Sequence, residues 1–150
     1  MEDSVVFAMF AGFMIFFFIL GIISIIGYIL MAIGLFNIAK KFGMKDKAWL
    51  AWVPIANMLL LTMLVENDVH ESIRGKLTLI TGIALVSSIL LAWLIPPLYF
   101  LPVIFALYAF YFVAKRFSKN EVAHVVIAAI TGGLSLCIQL FMFGRREPIQ

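Results

Sequence analysis

The chain has 150 residues, is 65% hydrophobic and only 13% charged, and has a mean hydropathy of +1.13. Soluble domains are about half apolar and about a quarter charged, so this composition leaves too little polar surface for water and points to lipid as the natural solvent. The net charge of +3 does not point to nucleic acid: the basic residues sit in short loops beside apolar runs, where Lys and Arg set membrane orientation, and no basic surface with interleaved aromatics remains for stacking bases.

The N-terminus, MEDSVVFAMF, opens on Glu2 and Asp3 and then runs apolar for too long to be a secretory signal. The first segment is expected to stay as a membrane anchor. From Val5 to Ala39, 35 residues pass without a charge. As helix that is about 50 Å, against a hydrocarbon layer of about 30 Å. Gly21, Ser24 and Gly27 are its weak points, so the reading is one long tilted or kinked helix, or two pieces breaking near Gly21. Lys40 and Lys41 fall in its last turn, where cations suit the helix dipole. Gly43 suits the left-handed stop after a helix, and Asp46 is placed to cap the next one.

Ala48 to Val65 reads as a second span of 18 residues, opened by Trp49 and Trp52 as interfacial anchors. Residues 66–76, ENDVHESIRGK, form the one strongly polar loop. Leu77 to Ala114 is another uncharged run of 38 residues, interrupted by Pro96, Pro97 and Pro102. Proline removes a backbone donor and clashes with the preceding turn, so a break or sharp kink is expected at 96–97. The second basic loop, 115–121, holds Lys115 and Arg116. Val122 to Gly144 is the last span, followed by the tail RREPIQ.

Sliding the chain by 75 residues lays Ile38-Ala39-Lys40-Lys41-Phe42 on Val113-Ala114-Lys115-Arg116-Phe117, Asp46 on Glu121, and Gly21 on Pro96. The pattern is a tandem repeat, with halves roughly 1–75 and 76–150 inside a single transmembrane domain spanning 1–150. With two crossings per half, seven cations (Lys40, Lys41, Lys45, Lys47, Lys115, Arg116, Lys119) lie on one side and four (Arg74, Lys76, Arg145, Arg146) on the other. The positive-inside bias then makes loops 40–47 and 115–121 cytoplasmic and puts both termini outside. Five or six shorter helices would suit the run lengths better but would remove the charge bias. The expected fold is therefore an all-α integral membrane protein, a helical bundle of two tandem repeats with four crossings and long, kinked first and third helices.

The stretch AWLAWVPIANMLLL, with Trp49, Ala51, Trp52, Val53, Pro54 and Asn57, then Ile95-Pro96 and Ala114-Lys115-Arg116-Phe117, resembles a family of small, uncharacterised bacterial membrane proteins. Its signature is a W-x-A-[WI]-[IV]-P-x-x-N segment followed by a second I-P segment. The match runs over roughly residues 28–143. This chain differs in its extra apolar residues before each half and in its long polar loop. The resemblance implies a four-helix membrane protein and supplies no activity, since the family is a domain of unknown function.

Few residues offer chemistry. Cys137 is alone, which excludes an internal disulfide and leaves a small buried hydrophobe. Pro54 and Asn57 lie one helical turn apart. Pro54 deprives the Leu50 carbonyl of its usual partner, and Asn57 is expected either to bond across helices as a packing device or to form a polar spot in a solute path. Gln139 is a similar lone amide, and His124 is expected at the interface. His70 lies among Glu66, Asp68 and Glu71 at spacings that match no ligand pattern. No metal, cofactor or catalytic set is expected. No span carries a central ionised group of the kind ion-coupled pumps hold, and small residues on the helix faces permit close packing. The functional expectation is a non-enzymatic membrane protein of interaction, accessory or assembly role, partnered by the lipid bilayer and by membrane helices of its own kind or of another protein. The alternative is a small transporter or channel for a neutral or lipidic solute.

Overall fold

A computed structural model describes residues 2–91 and 93–149. All regular structure among them is helical: α1 (Glu2–Lys41), α2 (Ala56–Val65), α3 (Leu77–Leu91), α4 (Leu101–Phe117), α5 (Glu121–Ile130) and α6 (Leu134–Arg145), with 3-10 turns at Ala48–Trp52 and Pro96–Phe100. Two helical stretches, Asp3–Lys41 and Pro96–Phe117, are long and apolar enough to cross a membrane.

The cations decide how these helices run. α1 ends at Lys40 and Lys41, and Gly43 takes the left-handed conformation expected there, with φ 79°. The Lys41 ammonium donates to the Arg146 carbonyl and lies 3.6 Å from the Glu147 carboxylate. The Ile149 N–H donates to the Arg116 carbonyl at 2.7 Å. The Arg116 guanidinium pairs with Asp68, and the Gly75 N–H donates to the Glu66 carbonyl. The ends of α1, α2, α4 and α6 and the start of α3 therefore meet at one end of the bundle. Loops 40–47, 66–76 and 115–121 and the tail all sit there, and with them all 11 Lys and Arg residues.

This corrects the four-crossing arrangement, which put loop 66–76 and the C-terminal tail across the bundle from the two basic loops. The reason is that two apolar runs turn back halfway. After Lys47 the chain climbs beside α1 through the 3-10 turn, until the Trp52 carbonyl accepts a 2.6 Å bond from the Tyr28 hydroxyl. It then reverses and descends as α2 to Asp68. The second basic loop leads likewise into α5, a turn at residues 131–133, and α6 descending to Arg145. His124 of α5 faces Gln139 of α6 at 2.6 Å, which collinear helices 15 residues apart would not permit. The long third helix is corrected in the same way. It is a hairpin, in which α3 climbs, the chain turns through Pro96–Phe100, and α4 descends; the Ser88 hydroxyl donates to the Leu98 carbonyl across the turn.

α1, by contrast, runs through Gly21 and Gly27 as one helix of 40 residues, about 60 Å long. From Asp3 to Ile26 its side chains are almost all exposed. Asp46 caps nothing: the following 3-10 turn has no side-chain cap. The core lies toward the charged end, where Leu35 and Ile38 of α1 meet Leu60 and Val65 of α2, Phe110 and Val113 of α4, and Phe143 of α6. Phe42, Phe117 and Phe143 stack in a row beneath the cations, with centroids 5.9 and 5.3 Å apart.

α1 and α6 run parallel and cross at two glycines. A Cβ on Gly144 would stand 2.7 Å from the Gly34 carbonyl oxygen, and one on Gly34 would collide with the Leu140 backbone. Backbone cannot yield as a flexible side chain does. Gly144→Ala is expected to cost about 1–3 kcal/mol, read as a lower denaturation midpoint in detergent, with Gly82→Ala as a control because its Cβ would meet Leu59 at an ordinary 3.8 Å.

Candidate functional site: a cavity at the turned-back tips

The two reversals are built differently. In the first, the Ala56 N–H donates to the Pro54 carbonyl at 2.8 Å, around Ile55 at φ 72° and ψ −49°. This is a γ-turn of the rare, strained kind, and a β-branched residue with positive φ is a genuine outlier. The expectation for Pro54 is corrected here: the Leu50 carbonyl is not left open, because it accepts the Val53 N–H at 3.1 Å. The second reversal uses Gly132 and Gly133 at φ 61° and 91°, a conformation that costs glycine little.

Between these tips lies a cavity of about 780 Å³, within the range of small-molecule sites. Tyr28 and Met31 of α1, Asn57 and Leu61 of α2, Leu107 of α4, and Gly133 and Cys137 at the second turn are among its walls. The surface is predominantly apolar. Its polar side chains are nearly all spoken for by backbone: Ser24 donates to the Leu20 carbonyl, Tyr28 to that of Trp52, and Cys137 to that of Gly133. Asn57 differs. Its backbone N–H reaches the Val53 carbonyl, but its side-chain amide makes no hydrogen bond to any described residue, although the residue is only 6% exposed. The amide faces the cavity it lines.

The other residues singled out from sequence fall elsewhere. Gln139 and His124, unrelated in the sequence reading, form one network. The His124 Nδ1–H donates to Gln139 Oε1 at 2.6 Å, and Nε2 accepts from the Ser118 hydroxyl at 3.1 Å. Gln139 Nε2 donates to Ser135 Oγ and to the His124 carbonyl. His124 is half-buried, its ring edge-on to Phe143 at 5.2 Å, and it clamps the α5–α6 hairpin. Trp49 and Trp52 are exposed at 59% and 46%, which suits anchors. Lys40 lies 4.2 Å over the Phe36 ring, Lys115 is exposed, and Arg116 lies 4.3 Å over Phe42. Among the described residues no group of three or more His, Cys, Asp or Glu is placed to hold a metal ion.

Sequence reading missed Ile55, Tyr28 and the Gly132-Gly133 turn as parts of one site. A proline and a glycine pair, each inside an 18- to 23-residue apolar run (48–65 and 122–144), were the available signals. Compared with family models, curated proteins and solved structures, the chain matches none.

The two buried amides respond oppositely to the same change. Asn57→Leu removes an unsatisfied group and is expected to raise stability by about 1 kcal/mol. Gln139→Leu strips His124 of its acceptor and is expected to lower it by about 1–3 kcal/mol. Parallel thermal denaturation in one detergent checks the sign of each.

Proposed function

We propose that the protein is an integral membrane protein with three full crossings (α1, α3 and α4) and two hairpins that enter and leave at the charged end. In its cavity it holds a neutral, lipid-like amphiphile for binding or passage. The observation that carries this reading is the Asn57 amide, buried and unpartnered in an otherwise apolar wall between two chain reversals. Backbone reverses inside lipid only where protein covers it or where it lines a cavity, and interrupted helices facing one another are how membrane folds make solute sites. A solute with one hydrogen-bonding group and an apolar body would satisfy the amide and fill the volume. No reactive group is assigned, so the role is not enzymatic.

The gathering of every cation at one end supports a cytoplasmic position for that end. The N-terminus is then outside and the C-terminus inside, rather than both outside. Both halves share a basic loop, a climb, a reversal and a descent, which supports the tandem repeat as a reading. A role in interaction draws on a different observation, the apolar surface of α1 from Asp3 to Ile26, which offers itself to lipid or to other helices.

For topology, single cysteines replace Lys45, His70 and Asn120 in a Cys137→Ser background and are challenged with an impermeant thiol reagent in intact cells. All three are expected to behave alike; a His70 position that differs from the other two restores four crossings. For the cavity, the protein is purified in mild detergent and weighed intact by native mass spectrometry. The wild type is expected to retain one neutral lipid per chain, and Asn57→Leu and Ala129→Trp to retain at least ten-fold less while remaining folded. Equal retention in all three would refute the site.

A further inference from the structure

A second cavity, of about 560 Å³, opens at the charged end and is lined by Asn67, Asp68, Arg74, Phe112, Lys115 and Arg116. It lies among the loops, apart from the apolar cavity. Three cations face it against the single carboxylate of Asp68. That carboxylate is already engaged by Arg116, whose guanidinium also rests on the Phe42 ring at 4.3 Å. Arg116 is thus held in place before any ligand arrives, which lowers the ordering cost of binding. The nearby Glu66 carboxylate accepts the Thr78 N–H and is turned to that helix start. Arg74 and Lys115 are exposed and make no salt bridge among the described residues. The cavity therefore keeps two uncommitted cations beside a fixed guanidinium, the donor set that suits a phosphate oxyanion.

The apolar wall identifies where that phosphate comes from. Phe112 precedes Lys115 and Arg116 by three and four residues on α4, so ring and cations share one helix face. Tyr108, a further turn along the same face, packs edge-on to Phe112 at 5.1 Å. Along this stripe the helix passes from aromatic surface to guanidinium and ammonium, matching a molecule with an anionic head and an apolar body. We infer that this cavity is a headgroup site for an anionic phospholipid, with the phosphate at Arg74, Lys115 and Arg116 and the acyl-glycerol portion along Phe112 and Tyr108. Juxtamembrane cations meet anionic lipid at this level of a cytoplasmic leaflet. The inference does not rest on what fills the apolar cavity.

The test is binding of dihexanoyl-phosphatidylglycerol to the purified full chain in a nonionic detergent, followed by intrinsic tryptophan fluorescence. Dihexanoyl-phosphatidylcholine, glycerol phosphate and inorganic phosphate serve as comparisons. Phosphatidylglycerol is expected to bind at least ten-fold tighter than any of the three, with affinity falling as salt rises. Arg74→Gln and Lys115→Gln are each expected to weaken it about five-fold and together about 25-fold, the equivalent of about 1 kcal/mol per cation. Phe112→Ala is expected to weaken the lipid and leave inorganic phosphate unchanged. Both cations are exposed, so the variants should fold, and the salt dependence of the wild type reads the same interaction without any variant. Phosphatidylcholine binding as tightly as phosphatidylglycerol, salt-independent affinity, or an unweakened double variant would overturn the site. Inorganic phosphate binding as tightly as the lipid would overturn the lipid as its occupant.

Discussion

Ionised side chains cannot be left in hydrocarbon, and in this chain that constraint shapes nearly everything else. A Lys or Arg at the middle of a membrane helix costs about 2.5–3.5 kcal/mol, and 11 of them are distributed over four separate segments. The fold brings all four segments to one end. Each apolar stretch that leaves this end must then either stop on the far side or come back. α1 arrives from the far side, the α3–α4 hairpin goes across and returns, and the two shorter stretches turn back partway. The Arg116–Asp68 pair, the Lys41–Glu147 pair and the row of Phe42, Phe117 and Phe143 beneath them tie the returning ends together.

The helical class, the basic loops, the stop at Gly43 and the break around Pro96 were legible in the sequence, because each is set by local chemistry. The direction of the second and last apolar runs was not. Hydropathy measures how long a segment is, and both Ala48–Val65 and Val122–Gly144 are long enough to cross. Whether they do depends on Pro54 with Ile55, and on Gly132 with Gly133. Their turn conformations are stabilised by contacts that lie far apart in the chain, such as Tyr28 with Trp52 and His124 with Gln139. Gly21 and Pro96 occupy matching positions of the two halves, yet only the proline ends a helix. Proline forbids the continuing backbone bond, whereas glycine merely weakens the helix.

The candidate site was half legible. Asn57 stood out as a lone amide beside a proline, and Gln139 stood out in the same way. Sequence gives them equal standing, and the fold separates them. Gln139 has both ends of its amide engaged by His124 and Ser135, so it serves as structure. Asn57 sits one position past the turn residues and has nothing opposite it but space. The difference comes from where the tight turn aims the first residues of α2, which no local pattern encodes.

The clustering of charge also bears on how such a chain enters a bilayer during synthesis. The tip between α3 and α4, residues 92–100, contains no charged residue, and ahead of Val5 the only ionised side chains are Glu2 and Asp3. For the arrangement proposed above, two carboxylates and the terminal amine are all that must be carried through the hydrocarbon. No lysine or arginine is ever translocated. The two short hairpins can be pushed in and seated from the side on which the ribosome stands, after the crossing helices are in place. The far face is reached almost entirely by groups that lipid already favours.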